Sequence, residues 1–291
     1  MNLWNHYVRP QTLSEALGAL RDGPLPAAPI AGGTDLLLDL AQGRHFPAAT
    51  LVDLTSVREM TALEVRGDVL FIGSAVPLSK IAGDSLVRRH AQALAEACDL
   101  IGGPQVRNVA TLGGNVAHGL PAADGTIALV ALDAVAEIAS QAGSRRQSVS
   151  TVFKGPGETT IRAGSELIVG FHLPLCGPFE ASAFARIMRP QGVALPIINL
   201  SAWLRRAGQV VTSARIAAAP SGPTPRRAIE AEGPLVGKPL SEESLGLCRR
   251  ALLEHATFRS SPRRASSAYR RDLVGPLLDE TIRCAWSRTW R

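Results

Sequence analysis

Two short segments of this chain restrict its backbone more than any others: Ala31-Gly32-Gly33-Thr34-Asp35 and Thr111-Leu112-Gly113-Gly114-Asn115. Each sets a Gly-Gly pair between an extended approach and a small polar residue. Glycine tolerates positive φ and lets backbone amides approach a ligand closely. Consecutive amides in such a turn form a concave anion site. Residues 35 to 40 read as a helix, whose N-terminus would add partial positive charge to the first loop. Thr34, Thr111 and Asn115 add hydrogen-bond donors. Two such loops facing each other would hold a pyrophosphate without a lysine. Either pair alone reads as an ordinary turn, because Gly-Gly turns are common; both together, with their flanks, carry more.

Other chemistry is thin. The cysteines Cys98, Cys176, Cys248 and Cys284 form no CxxC pair, so reduced thiols are expected and no metal or iron–sulfur cluster within the chain. A redox role would then need an organic cofactor. Neither loop is the GxGxxG of a Rossmann site, and Gly233-Pro234-Leu235-Val236-Gly237-Lys238-Pro239 is one residue short of a P-loop, with proline in place of Ser or Thr. Asn199-Leu200-Ser201 spells a glycosylation site without a secretory context. Residues 1 to 6 lack the basic and apolar regions of a secretory signal. The most apolar stretch, Thr126 to Ala136, is too short to cross a bilayer. A cytoplasmic chain without a transmembrane segment is expected.

Net charge is +6. Much of the excess lies in Arg226-Arg227, Arg249-Arg250, Arg263-Arg264 and Arg270-Arg271. A nucleic-acid surface is one reading. No aromatics are interleaved and acidic residues lie among the arginines, so a solvated or partner-facing helix surface is the better one, with no nucleic acid expected.

With 291 residues, 46% of them hydrophobic, the chain can bury more than one core. Residues 1 to about 55 read as a small α/β unit, with strands at His6-Tyr7-Val8 and Leu51 to Leu54. Thr12-Leu13-Ser14-Glu15 has the form of a capping box, Glu15 reaching back to the Thr12 amide. Residues 56 to 176 form a second unit: a hairpin turn at Arg66-Gly67-Asp68, an amphipathic helix from Leu86 to Leu100, strands at Ala134 to Ala139 and Gln147 to Ser150 around Gly143-Ser144, and a strand from Leu167 to Leu173. The last third, 177 to 291, reads as antiparallel strands (Phe184 to Met188, Ile197 to Leu204, Val210 to Ala217, turning at Ala207-Gly208). Helices follow at Arg226 to Leu235, Glu242 to Ala256 and Ser266 to Trp286. Sheet followed by helices marks a separate α+β domain.

An ordered set of motifs covers nearly the whole chain: Tyr7-x-Arg9-Pro10, Ala31 to Leu37, Leu51-Val52-Asp53-Leu54, Gln105-Val106-Arg107-Asn108 running into Thr111 to Asn115, Pro121-Ala122-Ala123-Asp124, Ala131-Leu132-Asp133-Ala134, and Arg264 to Arg271. In this the chain resembles the FAD-binding medium subunits of the molybdenum hydroxylases, the group containing xanthine, carbon monoxide and nicotinate dehydrogenases. The resemblance implies an α+β protein: a bipartite FAD-binding domain of the vanillyl-alcohol-oxidase (PCMH) type over 1–176, then the smaller C-terminal domain over 177–291. It implies that Ile30, Ala31, Gly32, Gly33, Thr34, Asp35 and Leu36, with Thr111, Leu112, Gly113, Gly114 and Asn115, hold the FAD pyrophosphate. Asp124 would accept hydrogen bonds from adenosine hydroxyls, its alternative being a helix N-cap or turn carboxylate. Ile101, Gly102, Leu167 and Ile168 match places lining the flavin or adenine; on their own they read as core.

The sequence also departs from that pattern. His118 stands where the family has a small residue; it either contacts the cofactor, the reading favoured, or is a surface-loop histidine. Arg186 is the nearest basic residue to a family lysine. Pro190-Gln191-Gly192 replaces a frequently acidic stretch near the flavin edge, leaving the electron acceptor open. The resemblance further implies partner subunits, a large one with the molybdenum cofactor and a small one with two [2Fe–2S] clusters, assembled as a dimer of heterotrimers. FAD here would collect electrons from those clusters and pass them to an external acceptor. No acid–base residue and no metal ligand is assigned in this chain. Rival readings are a self-contained flavin oxidoreductase and a basic scaffold or nucleic-acid-binding protein.

Overall fold

Short apolar runs, several buried on both faces, build three main sheets in chain order, seen in a computed structural model that describes residues 3–45, 47–190, 194–262 and 264–290. The first sheet orders His6–Val8, Thr50–Asp53 and Ala27–Ile30, with both pairings parallel. Parallel neighbours need a crossover, and the helix Leu13–Asp22 lies in one, burying Ala16, Leu17 and Leu20. Thr12 caps that helix by accepting the Glu15 amide at 3.2 Å. The Glu15 carboxylate reaches the Gln11 amide at 2.7 Å, one residue earlier than the capping-box pattern predicts.

The second sheet orders Leu63–Arg66, Val69–Gly73, Glu166–Pro174, Val135–Ser140 and Gly143–Ser148, all antiparallel. The expected hairpin turn forms with Gly67 at φ 62°. The other hairpin turns at Gln141-Ala142, so Gly143-Ser144 lies in the strand instead. Ser140 decides this: its Oγ accepts the Ala142 amide and donates to the Gly143 carbonyl, each at 3.2 Å. The helix expected from Leu86 to Leu100 is two helices, Ser85–His90 and Gln92–Leu100, broken at Ala91 with φ −143° and ψ 50°. The buried spacing Val87, Ala91, Leu94, Cys98 passes straight through the break, which is why periodicity does not register it. The most apolar stretch is a core helix, Asp124–Ala131, buried at every position.

The third sheet orders Glu180–Met188, Pro196–Ala207 and Val210–Ala219, antiparallel, and shares a core with the helices Glu242–His255 and Ser267–Arg288. The helix expected from Arg226 to Leu235 shrinks to Ile229–Glu232. Residues before it bond to the sheet edge instead: the Ala228 amide meets the Ile216 carbonyl at 2.8 Å, and Arg227 bridges Ala217. Polar bonds tie this lobe to the middle one. Glu96 accepts the Phe184 amide at 2.9 Å and Arg288 at 2.5 Å. Among the described residues no helix is long and apolar enough to cross a membrane.

One buried carboxylate braces the central strand. Glu166 receives Arg145 at 2.5 Å, the Arg162 guanidinium at 3.0 Å and the Arg162 amide at 2.9 Å. Burial opposes its ionisation, but these donors outweigh it and hold the carboxyl down to about 2. A depressed folded value adds stability above the ordinary glutamate value, and that stability is lost as pH falls through the folded one. Glu166→Gln is therefore expected to cost about 1–3 kcal/mol at neutral pH, with the gap to wild type closing between roughly pH 5 and pH 2. Thermal denaturation across that range checks it; a pH-independent gap would mean that Glu166 is not ionised in the fold.

Candidate cofactor-binding site

The first glycine loop leaves the C-terminal end of Ala27–Ile30 and leads into the short helix Leu36–Ala41. Gly33 takes φ +67°, and a Cβ on Gly32 would fall 2.2 Å from the Val109 carbonyl oxygen and 2.7 Å from the Ala110 Cα. Glycine is thus required at Gly32 by close backbone approach. The amides of Gly32 to Leu36 make no hydrogen bond to the described residues, while the Gly33 and Asp35 carbonyls accept the Leu37 and Asp39 amides. This loop offers a run of unsatisfied donors, the requirement for an anion nest. The helix has only 6 residues, so the amides themselves, more than a macrodipole, carry that property.

The second Gly-Gly pair differs from the expectation. It is the first turn of a helix, Leu112–Ala117, capped by Thr111. Its amides are taken: Leu112 by the Val76 carbonyl at 3.4 Å, Gly113 by Ser74 at 2.8 Å, Gly114 by the Thr111 hydroxyl at 3.1 Å and Asn115 by the Thr111 carbonyl at 3.0 Å. It forms no amide nest. What it presents are side chains and a gap. The Asn115 Oδ1 is fixed by the Thr126 amide at 3.0 Å, leaving its Nδ2 donors without a partner among the described residues. Gly114 is exposed, and a Cβ there would meet only the Thr111 Oγ1, at 3.3 Å. Gly113 instead serves packing, since its Cβ would lie 2.5 Å from the Ser74 Cβ.

Both loops wall one cavity of about 550 Å3, a size usual for a cofactor site. Every residue from Ile30 to Leu36 lines it, as do Ile101, Gly102, Thr111, Gly114, Asn115, His118, Asp124 and Arg186. Leu112 and Gly113 lie behind the wall. Leu167 and Ile168 do not line it either: they sit on the central strand with both faces covered, in the hydrophobic core. His118 faces the cavity, its Nε2 3.9 Å from the Asp35 carboxylate.

Asp124 stands in the first turn of its helix and is engaged on both oxygens, by Arg186 Nη1 at 2.5 Å and by Asn199 Nδ2 at 2.5 Å. Burial pushes its carboxyl up from the ordinary value; Arg186 and Asn199 oppose that. Each oxygen keeps a second acceptor site for a ligand hydroxyl. Arg186 is committed to this internal pair, and its Nε finds no partner. Asn199, absent from the sequence-derived candidates, also donates to the Ala122 carbonyl at 3.1 Å. A further wall, Arg259, Ser261, Arg264 and Arg270, gives no local signal in the sequence. The arginine pairs were visible but read as solvated or partner-facing, whereas Arg270 is 1% exposed and Arg227 pairs with Glu232 at 2.5 Å. Arg263, Gln191 and Gly192 lie outside the described residues.

Comparison with known proteins gives a consistent likeness. Residues 3–176 match the family described as FAD binding domain in molybdopterin dehydrogenase, and residues 182–285 match the CO dehydrogenase flavoprotein C-terminal domain. A xanthine dehydrogenase FAD-binding subunit of Escherichia coli O157:H7 is 32% identical over 283 residues, covering 95% of this chain and 94% of the relative. The solved carbon monoxide dehydrogenase from Hydrogenophaga pseudoflava, in a form lacking the Mo-pyranopterin moiety, superposes with a TM-score of 0.91 at 26% identity, covering 97% of each chain. Quinoline 2-oxidoreductase from Pseudomonas putida 86 does so at 0.89 and 29%, covering 98% of each.

The two glycine environments predict opposite failures. Gly32→Ala drives a Cβ into backbone and should destabilise the fold by about 1–3 kcal/mol or more. Gly114→Val should leave the fold intact and project into the cavity beside the Thr111 hydroxyl, giving a folded chain without yellow chromophore. Circular dichroism and visible absorption of the purified variants read both; a flavin-replete Gly114→Val would remove that position from the site. Arg186→Met should cost about 3–5 kcal/mol by leaving a buried carboxyl unpaired, and pairing it with Asp124→Asn should recover part of the loss in a denaturation experiment.

Proposed function

Because this chain belongs to the family of FAD-binding subunits of the molybdenum hydroxylases, we propose that its FAD relays electrons from [2Fe–2S] clusters on a partner subunit to an external acceptor. The chain is a FAD-binding flavoprotein oxidoreductase subunit of the xanthine and carbon monoxide dehydrogenase type. Its proposed partners are a large molybdenum-cofactor subunit and a small subunit with two [2Fe–2S] clusters, in a cytoplasmic dimer of heterotrimers. The substrate is then a property of the large partner.

The observation that carries the reading is the run of unbonded amides from Gly32 to Leu36, opening onto a cavity also lined by Thr111, Gly114 and Asn115. These residues fit a dinucleotide: free main-chain donors suit a diphosphate, and a glycine without a Cβ leaves room beside them. When bound, FAD supplies the exchange between single-electron and electron-pair transfer. The protein's own share is binding and positioning. The first loop grips the diphosphate by its amides. Asn115, held in one orientation by Thr126, donates beside it. Asp124, kept in place by Arg186 and Asn199, accepts a ribose hydroxyl. Ile101 and Gly102 would close the apolar side, and His118, facing the cavity beside Asp35, would contact the cofactor. Leu167 and Ile168 support the site from within the core.

Purifying the full chain alone and with both partners tests this. The assembled complex should carry FAD that is bleached by substrate only when all three subunits are present. Bleaching by substrate in the lone chain would establish a self-contained enzyme. Absence of flavin from every preparation would end the reading.

A further inference from the structure

Arg270 is among the largest fully buried side chains, at 1% exposure, yet its Nε and Nη1 have no hydrogen-bond partner. It lies in the first turns of the long helix Ser267–Arg288, whose cap Ser266 accepts the Tyr269 amide at 3.2 Å. Arg270 lines the same cavity as the first glycine loop, together with Arg264 and Arg259. Burial is graded: Arg259 is exposed, Arg264 half-buried, Arg270 buried. None of them forms an ion pair among the described residues, and the cavity's carboxylates are directed elsewhere: Asp39 to Arg44, Asp124 to Arg186, Asp35 towards His118. Burial, then the charges of Arg264 and Arg259, pull the Arg270 guanidinium below its ordinary value. Arg264 is lowered by burial and by Arg259.

Arginine does not escape burial by losing its proton under ordinary conditions. A guanidinium desolvated without an anion is strongly destabilising. The cluster therefore calls for an anion from outside the chain. A partner's side chain is poorly placed to supply it, because Arg270 is 1% exposed and lies in the cavity lining. We propose that Arg259, Arg264 and Arg270 form an anion-binding wall of the cofactor cavity, with Arg270 at its buried centre, that takes a negatively charged group of the bound dinucleotide. The proposal rests on the reading that the cavity holds FAD. The anion has two possible sources in that molecule. One is the diphosphate. The other is the pyrimidine edge of the isoalloxazine, which would carry negative charge after uptake of two electrons and one proton.

The test uses the full chain, alone and assembled with its partners, as wild type, Arg270→Met, Arg270→Lys and Arg264→Met. Affinity is measured for oxidised FAD and for riboflavin, which has no phosphate, and the flavin midpoint potential is measured by dye-equilibrated titration. If the diphosphate is the anion, Arg270→Met weakens FAD roughly tenfold or more, leaves riboflavin unchanged, and Arg270→Lys recovers part of the loss. If the pyrimidine edge is the anion, oxidised FAD binds as before and the potential becomes more negative. Wild-type FAD binding with unchanged affinity and potential in Arg270→Met overturns the proposal. Should that variant fail to fold, unchanged values in Arg264→Met overturn it instead. A wild type that binds no FAD in either preparation defeats the earlier reading, and this one with it.

Discussion

A backbone-to-backbone approach organises this molecule. Gly32 lies so close to Val109 and Ala110 that a single methyl group would collide with a carbonyl oxygen. That approach sets the first sheet's loop against the segment entering the Leu112–Ala117 helix. It fixes where the free amides of Gly32 to Leu36 point relative to Asn115 and Gly114. With the lobes farther apart, these groups would line two shallow surfaces; brought together, they wall one cavity.

The third lobe is attached through buried polar contacts that would be costly if only half made. Asp124, Arg186 and Asn199 come from a core helix and two strands of the last sheet. Buried ion pairs add little net stability over apolar packing, but removing one partner is expensive. The arrangement is therefore better suited to fixing geometry than to strengthening the fold. It places Arg186 and the end of the third sheet at the cavity, and the first turns of Ser267–Arg288 bring Arg270 beside them. Residues of all three lobes therefore line the one cavity.

Much of the fold is legible in the sequence because local forces decide it. The Thr12 cap, the Gly67 hairpin and the helices Glu242–His255 and Ser267–Arg288 follow from capping chemistry, turn preference and period, and the Glu166–Pro174 strand from its apolar run. Misreadings arise where a distant or weak partner intervenes. Residues 226 to 228 join a sheet edge instead of starting a helix, because the Ile216 carbonyl is available to Ala228. The hairpin after Ser140 closes early because a serine hydroxyl bonds its own turn. Leu167 and Ile168, matched to cofactor-lining places by resemblance, sit instead on a strand covered on both faces.

The sequence by itself determined the places where the backbone could be bare: two Gly-Gly pairs, in an order with other motifs that marks the family. It could not determine which pair keeps its amides free. Ser74 satisfies Gly113 and the Thr111 cap satisfies Gly114, and among the described residues nothing comparable reaches the first pair. The Thr111 cap is local, but Ser74 lies 39 residues before Gly113, beyond the reach of local pattern. The same holds for Arg270, one of many arginines in the sequence and a buried, unpaired cation only in the fold. Local propensity sets what each segment can be; hydrogen-bond partners and desolvation, which only tertiary contact supplies, decide which polar groups remain for a ligand.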